Sequence, residues 1–389
     1  MKIMFIPTGF PSDDNRATML FVYEQAKALA AAGHEITVLH VQRQPSKALF
    51  KRIDPSIHVV EDGFCKRYFT RLKTFAMHKL PGLNRKLFVK KMKELFAYAI
   101  SCGEKPDVLY AHFSCWAGCA AIEIGRENSI PVVTIEHYGG FVSGKRIEKA
   151  YISGLQYTVQ NSEAMLCVSE KLKEAIQRIT KTQKQITVIP NMVDDRFVYH
   201  EVPKHSDFKF CTLGHLNPGK RISMLAEAFC EAFSSDDNVT LTIGGDGIER
   251  KKIEKIIKDN DRKRQITMLG RLSREQTEKL YTESDCFVLP SAWETFGLVY
   301  REAMGIGRPI ITTNHGGWDE TNWSDDFGIM IKIDDKAELI EALKSMRNCF
   351  DSYNLKRIAA FVQDTYSCKA IVTQIETVLT NVVEGYHER

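Results

Sequence analysis

No apolar run in these 389 residues approaches the roughly 20 residues that a membrane-spanning helix requires. The first residues do not read as an export signal either. Such a signal needs roughly 7 to 15 apolar residues, and between Met1 and Pro11 only Ile3 to Ile6 is apolar, so this stretch reads as a first strand. Paired cysteine spacings are absent: the ten cysteines are scattered without a Cys-x-x-Cys. That excludes a disulfide miniprotein, and the thiols read as reduced, cytosolic and mostly core-filling. Low-complexity segments and internal repeats are also lacking. With 44% hydrophobic and 26% charged residues, the chain is neither disordered nor collagenous. At roughly 150 residues per domain, its length suggests two domains.

Acid is missing from one long stretch. The chain carries 53 basic and 49 acidic residues, for a net charge of +4, yet Lys66 to Lys93 holds ten Lys and Arg and no Asp or Glu. One segment makes an otherwise acidic protein basic. Apolar residues thread through it, and from Arg85 onward Phe88, Met92, Leu95, Phe96 and Ala99 recur at helical spacing, with Lys86, Lys90 and Lys93 on the other face. Two readings stand. One is a helix packed on its own domain with a solvated basic face. The other is a surface for anionic lipid, with Arg67, Arg71, Lys73, Lys86, Lys90 and Lys93 facing the membrane, each worth about 1 kcal/mol there. The second places the protein in the cytoplasm, peripheral on the inner face of a membrane. A nucleic-acid partner is not expected, because no nucleic-acid-binding module is recognisable.

Short apolar strands alternate with helical stretches twice over. Lys2–Pro7, Glu35–Val41, Asp107–Ala111, Pro131–Ile135, Ala164–Val168 and Gln185–Ile189 read as strands of a first domain, with a helix over Arg16–Ala32 stopped by Gly33. A second series runs through Lys209–Leu213, Val239–Ile243, Gln265–Leu269, Cys286–Leu289 and Pro309–Thr313. Its helices are expected over Arg221–Phe233, Glu249–Lys258, Arg274–Glu283, Leu298–Met304 and Lys336–Met346, with Ser273 and Gln276 as a capping box. The expected class is α/β, with two Rossmann-like, doubly wound domains. The first spans 1–204 and the second 205–365, and a C-terminal helix over 366–389 packs back on the first. The boundary falls near Val202–Phe208, where Pro203 and a polar stretch interrupt the rhythm. In such sheets ligands bind outside the carboxyl ends of the strands, and two facing domains form a cleft there.

The chemistry-bearing residues stand at those strand ends. Pro290 to Glu302 reads as strand, loop and helix start, with Glu294 on the loop, Gly297 allowing close backbone approach, and Glu302 down the helix. A helix N-terminus is a ready-made phosphate site, and the two carboxylates can accept from a sugar hydroxyl and a ribose diol. Gly214 to Arg221 places Lys220 and Arg221 after a strand, and Gly9 follows the first strand. Asp13 and Asp14 either accept hydroxyls of an acceptor or only start a helix. His112, Cys115 and Cys119 fall short of a metal set and read as a helix start with core cysteines. Asp259-Asn260-Asp261 reads as a solvated loop.

Glu294 and Glu302 match the Glu-x7-Glu motif of retaining glycosyltransferase family 4, which has the two-domain GT-B fold, and the chain resembles that family over nearly its whole length. Gly316, Gly317 and Glu320 resemble its Gly-Gly-x-x-Glu segment, and Gly244 to Gly247 its glycine-rich turn. Ile189, Pro190, Asn191 and Asp194 resemble the strand end that closes its first domain. His137, after Glu136, resembles the His at the donor sugar. The resemblance implies catalytic roles for Lys220, Glu294 and His137. It implies a donor site at Gly9, His215, Arg221, the Phe296–Gly297–Leu298–Val299 backbone and Glu302, with Glu302 on the ribose. The family usually carries Arg where this chain has His215, and Gly where it has Arg221. The implied activity is transfer of a sugar from a nucleotide-sugar donor, UDP-linked by family habit, without an obligatory metal or other cofactor. The acceptor is a glycan or lipid-linked glycan, in polysaccharide or glycolipid synthesis. The alternatives are a GT-B epimerase and a non-enzymatic binding protein.

Overall fold

A computed structural model describes residues 1–11, 19–45, 54–74, 81–201, 206–235, 237–314, 317–318 and 323–388. Asp13, Asp14, Gly316 and Glu320 lie outside the described residues. The chain divides into two compact units, Met1–Met192 with Cys368–Arg389, and Val193–Ser367.

The first unit runs β1 (Lys2–Pro7), α1 (Leu20–Ala31), β2 (Glu35–Pro45), β3 (His58–Glu61), β4 (Cys65–Thr74), α2 (Pro81–Ser101) and β5 (Val108–His112). A π turn over Ser114–Gly118 leads into α3 (Cys119–Asn128), and then β6 (Val132–Glu136), α4 (Lys149–Asn161), β7 (Ala164–Cys167), α5 (Glu170–Thr180) and β8 (Ile186–Val188) follow. The strands form one sheet in the order β3-β4-β2-β1-β5-β6-β7-β8. All its pairs are parallel except β3 with β4. β5 and β6 are buried at every position, as continuous apolar strands covered on both faces must be.

The basic segment is split between two elements. Its first part is not helical: β4 mixes apolar and charged residues and pairs with β2 over its whole length, with Tyr68 and Leu72 in the core. Its second part is α2, whose Phe88, Met92, Leu95, Phe96 and Ala99 are all buried in the same cluster as Leu39, Val41 and Trp116. Burying those five side chains accounts for the helix at this position.

The second unit contains β9 (Phe208–Leu213), α6 (Ile222–Ala232), β10 (Val239–Gly244), α7 (Arg250–Asp259), β11 (Ile266–Gly270), α8 (Arg274–Thr282) and β12 (Cys286–Leu289). These are followed by α9 (Leu298–Gly305), β13 (Ile310–Thr313), β14 (Gly328–Ile331), α10 (Lys336–Cys349) and α11 (Leu355–Tyr366). Its sheet is fully parallel, in the order β11-β10-β9-β12-β13-β14, doubly wound from the central β9. The Ser273–Gln276 capping box opens α8.

The division between units comes earlier than the polar stretch near Val202–Phe208. The reason is packing. Val193 donates to Tyr366 O, the buried Phe197 lies against Gly305, and Arg308 donates to His200 O at 2.9 Å. The chain therefore joins the second unit before its composition changes. The last helix, α12 (Cys368–His387), returns to the first unit, where His34 Nε2 meets Glu376 Oε1 at 2.8 Å.

Candidate functional site

In the second unit the site is built around the loop from β12 to α9. Gly297 immediately precedes α9 and has φ 75°, a left-handed conformation that favours glycine. A Cβ there would lie 2.7 Å from the Tyr300 ring, and Tyr300 is pinned because its hydroxyl donates to Leu289 O at 2.6 Å. The chain thus turns sharply, and the first N–H groups of α9, from Leu298 and Val299 onward, have no partner within the helix. Phe296 is buried beneath this turn, and Leu298 and Val299 are half-buried.

A side chain without any special pattern in the sequence holds the turn in shape. Arg301 is only 2% exposed. Its guanidinium lies 3.8 Å from the Trp318 ring centroid and 4.2 Å from that of Phe296. It donates to Phe296 O and, at 2.5 Å, to Gly317 O. One planar cation therefore ties the β12–α9 loop to Gly317, the described member of the Gly-Gly-x-x-Glu segment.

Glu302 is also only 2% exposed. It accepts from Arg274 at 2.5 Å and from the Tyr281 hydroxyl at 3.5 Å. Burial raises its pKa, and Arg274 pulls it back toward the carboxylate. Arg274 reaches Asp194 as well, at 3.5 Å, and Asp194 binds Arg196 at 2.9 Å. Four charges from α9, α8 and the segment after Met192 thus form one network. Neither Arg274 nor Tyr281 was visible as a partner in the sequence, because pairing across 28 and 21 positions leaves no local pattern.

Lys220 and Glu294, separated by 74 positions, form an ion pair, and Glu294 also accepts from Ser291 Oγ at 3.0 Å. The two loops are fastened together. Ala292 N–H donates to Gly219 O at 2.8 Å, and a Cβ on Gly219 would sit 2.6 Å from Trp293. Behind them, the glycine turn after β10 packs on the Gly214–Leu216 loop so closely that a Cβ on Gly245 would be 1.9 Å from Gly214 O. Gly245 also has φ 119°, so only glycine fits. His215 is exposed on this loop. Arg221 sits at φ 54° and turns to Asp334, to which it donates at 2.9 Å, so its charge is committed to that carboxylate.

In the first unit, His137 stands just past β6 and His112 at the end of β5. Both are buried, with His112 Nδ1 3.2 Å from His137 Nε2 and the two rings stacked. Burial drives the His137 pKa down to about 3 and that of His112 well below its usual value, so both are neutral at pH 7. The buried Glu136 accepts three backbone N–H groups, from Ser114, His137 and Tyr138, at 2.8 to 2.9 Å. It therefore anchors both the π turn and the loop that carries His137. Gly9 is buried just past β1. Cys115 and Cys119 lie buried in and just after the π turn.

The basic residues diverge. Arg67 is buried and bound to Asp62 at 3.1 Å, so it does not face a membrane. Lys93 is neutralised by Glu123 at 2.8 Å and Glu127 at 2.7 Å. Both corrections have the same cause: the acids missing from the segment itself are supplied by Asp62 just before it and by α3. Arg71 and Lys73 are half-buried on β4, Arg71 bonding Gln42 at 3.2 Å. Lys86 and Lys90 alone of the six are exposed.

Two family models match the chain in succession: Glycosyltransferase Family 4 over residues 20–197 and Glycosyl transferases group 1 over residues 196–355. The chain is 24% identical over 375 residues to the N-acetyl-alpha-D-glucosaminyl L-malate synthase of Bacillus anthracis, covering 92% of each. It is 27% identical over 284 residues to the UDP-Gal:alpha-D-GlcNAc-diphosphoundecaprenol alpha-1,3-galactosyltransferase of Escherichia coli, covering 68% of this chain and 73% of that one. Among solved structures, Anabaena HepE in complex with UDP and glucose matches 98% of this chain and 100% of its own, with a TM-score of 0.73 and 16% identity. Two doubly wound parallel sheets, matched in series by these two models, identify the chain as a family 4-like glycosyltransferase of the GT-B fold.

Proposed function

We propose that this glycosyltransferase is a retaining enzyme that moves a sugar from a UDP-linked donor to a lipid-linked glycan acceptor. The observation that carries the donor reading is the second unit's convergence of three features: a cation, Lys220, on one loop; the open N-terminus of α9 on the next; and a buried carboxyl group, Glu302, paired with Arg274. A nucleotide diphosphate needs each of these. The helix N-terminus and Lys220 attract its charge, and Glu302 accepts from the ribose diol. Glu294, now paired with Lys220, exchanges that partner for a sugar hydroxyl when the diphosphate takes the lysine. The solved relative named above holds UDP and glucose, and the E. coli relative is named for UDP-Gal and a diphosphoundecaprenol acceptor.

As the glycosidic bond breaks, charge builds on the leaving diphosphate, and Lys220 and the α9 amides stabilise it in the transition state. On this reading they take the part that a metal cation plays elsewhere, and no obligatory metal is needed. His137, neutral and buried, offers a fixed hydrogen bond without a charge. Retention proceeds by attack on the face that the leaving group vacates, and Glu294 is not assigned as a nucleophile. The exposed Lys86 and Lys90 on α2 form the membrane-facing surface. No helix among the described residues is long and apolar enough to cross a membrane, so attachment on this reading is peripheral.

Donor turnover in Lys220→Ala and Glu302→Gln tests the site. Lys220→Ala is expected to lower the rate by about two orders of magnitude, corresponding to about 3 kcal/mol of lost transition-state stabilisation. Glu302→Gln is expected to raise KM for the donor. Near wild-type behaviour in both would overturn the assignment.

A further inference from the structure

Two arginines of the first unit, one near the carboxyl end of β2 and one in α2, have no carboxylate partner among the described residues. Arg43, near the end of β2, is half-buried with its guanidinium 4.9 Å from the ring centroid of Trp116 in the π turn after β5. Burial lowers its pKa, and Tyr151 and Cys115 partly offset that. Arg85, in the second turn of α2, has one polar contact among the described residues, Ser153 Oγ at 3.3 Å. Both arginines act on Cys115, the residue before Trp116: each favours its thiolate, although burial dominates and pushes that thiol up to about 12. They therefore share one neighbourhood, contributed by β2, α2, the π turn and the start of α4.

Among the described residues, no carboxylate pairs with either arginine. Arg67, Lys93, Arg221 and Arg274 each meet a carboxylate, and the buried Arg301 and Arg308 donate to backbone carbonyls instead, whereas among the described residues Arg43 has neither and Arg85 has only the Ser153 hydroxyl. Holding a guanidinium half out of water with neither a counter-charge nor carbonyl acceptors is costly. The place itself is informative. In parallel sheets the carboxyl ends of the strands are where ligands bind. An aromatic ring under a guanidinium fixes its plane, leaving the N–H edge to meet a planar or tetrahedral oxyanion.

We infer that Arg43 and Arg85 form an anion subsite of the first unit that takes the phosphate or diphosphate group of the acceptor. This rests on the transferase reading above and deepens it, giving the acceptor a charged group close to its reacting sugar. Trp116 is the platform of the subsite and Tyr151 its wall. A free phosphoric anhydride and a polyprenyl diphosphate headgroup present the same chemistry, and the experiment separates them.

Trp116 is the one tryptophan before residue 293, so the part of the emission that Trp116→Phe removes reports on this subsite. The full chain, saturated with UDP to occupy the donor site, is titrated with inorganic pyrophosphate in one arm and with citronellyl diphosphate in the other. A response that disappears in Trp116→Phe marks the subsite. Arg43→Gln and Arg85→Gln are each expected to weaken it about tenfold or more, the loss of a charge-assisted bond, while UDP affinity stays unchanged. Arg43→Lys, which keeps a charge, is expected to retain more binding than Arg43→Gln. A response to citronellyl diphosphate alone identifies a lipid headgroup, and a response to both identifies the anhydride itself. No Trp116-dependent response in either arm, or equal losses in Arg43→Lys and Arg43→Gln, overturns the subsite. Failure of UDP itself to bind would instead refute the donor reading and leave this titration to be run without it.

Discussion

Replacing Arg301 is the sharpest single perturbation of the site's architecture. The guanidinium is enclosed by Trp318 and Phe296 and donates to Phe296 O and Gly317 O. Arg301→Met keeps much of the volume and removes both bonds. Two opposing effects then decide the outcome. The variant no longer buries a charge, which favours it. It also leaves two buried carbonyls without donors and loses two charge-assisted hydrogen bonds, at about 1.5 to 3 kcal/mol each, together with a buried cation–π contact of about 2 kcal/mol. Because the carbonyls cannot move to water without opening the loop, the losses outweigh the gain, and a net cost of about 3 kcal/mol is expected. That is a large share of a domain's 5 to 15 kcal/mol. The assay is denaturant unfolding in a Trp116→Phe background, where Trp293, Trp318 and Trp323 all report on the second unit. Arg301→Lys should fall between the two, since an ammonium cannot span both carbonyls in one plane. UDP affinity under folding conditions should drop about tenfold in Arg301→Met. A loss below about 1 kcal/mol with unchanged UDP affinity would refute the claim that Arg301 shapes the loop.

Acid should weaken the first unit through its histidine pair. His137 is held neutral to about pH 3, whereas in the unfolded chain it protonates near 6.5. Below 6.5 the unfolded state takes up a proton that the folded state refuses, so stability falls as pH drops, by about 2 kcal/mol at pH 5 for one such histidine. Comparing urea unfolding at pH 7.5 and 5.0, followed by Trp116 fluorescence, should show this slope reduced in His137→Gln; an unchanged slope contradicts it. Membrane attachment is expected to rest on Lys86 and Lys90. In flotation with anionic vesicles, Lys86→Gln with Lys90→Gln should weaken binding by about 2 kcal/mol, whereas Lys93→Gln, which removes a charge already paired, should change little. Absence of salt-sensitive binding by the wild type would remove the membrane claim.

The strand–helix rhythm was readable because the buried strands of parallel sheets are uninterrupted apolar runs, as in Val132–Glu136 and Cys286–Leu289. Ser273 and Gln276 announced their helix start for an equally local reason. What escaped was non-local. β4 was hidden by Lys66, Arg67, Arg71 and Lys73, which looked like a basic surface until pairing with β2 placed the strand in the sheet. The early unit boundary depends on Phe197 and His200 packing on the second unit, contacts that composition does not reveal. Glu294 and Glu302 were found by their spacing, but their partners Lys220 and Arg274 sit on other elements, and only the former had a motif of its own. Arg301 had none, and it stands beside a recognised Glu without resembling a functional residue.

The central claim is that an activated sugar's diphosphate docks at Lys220 and the start of α9. A crystal structure of the protein with a non-hydrolysable UDP-sugar tests it most directly. The account predicts diphosphate oxygens within hydrogen-bonding distance of the Lys220 ammonium and the Leu298 and Val299 amides, with the ribose on Glu302. A diphosphate bound elsewhere, with the Lys220–Glu294 pair intact and Glu302 untouched, would contradict it.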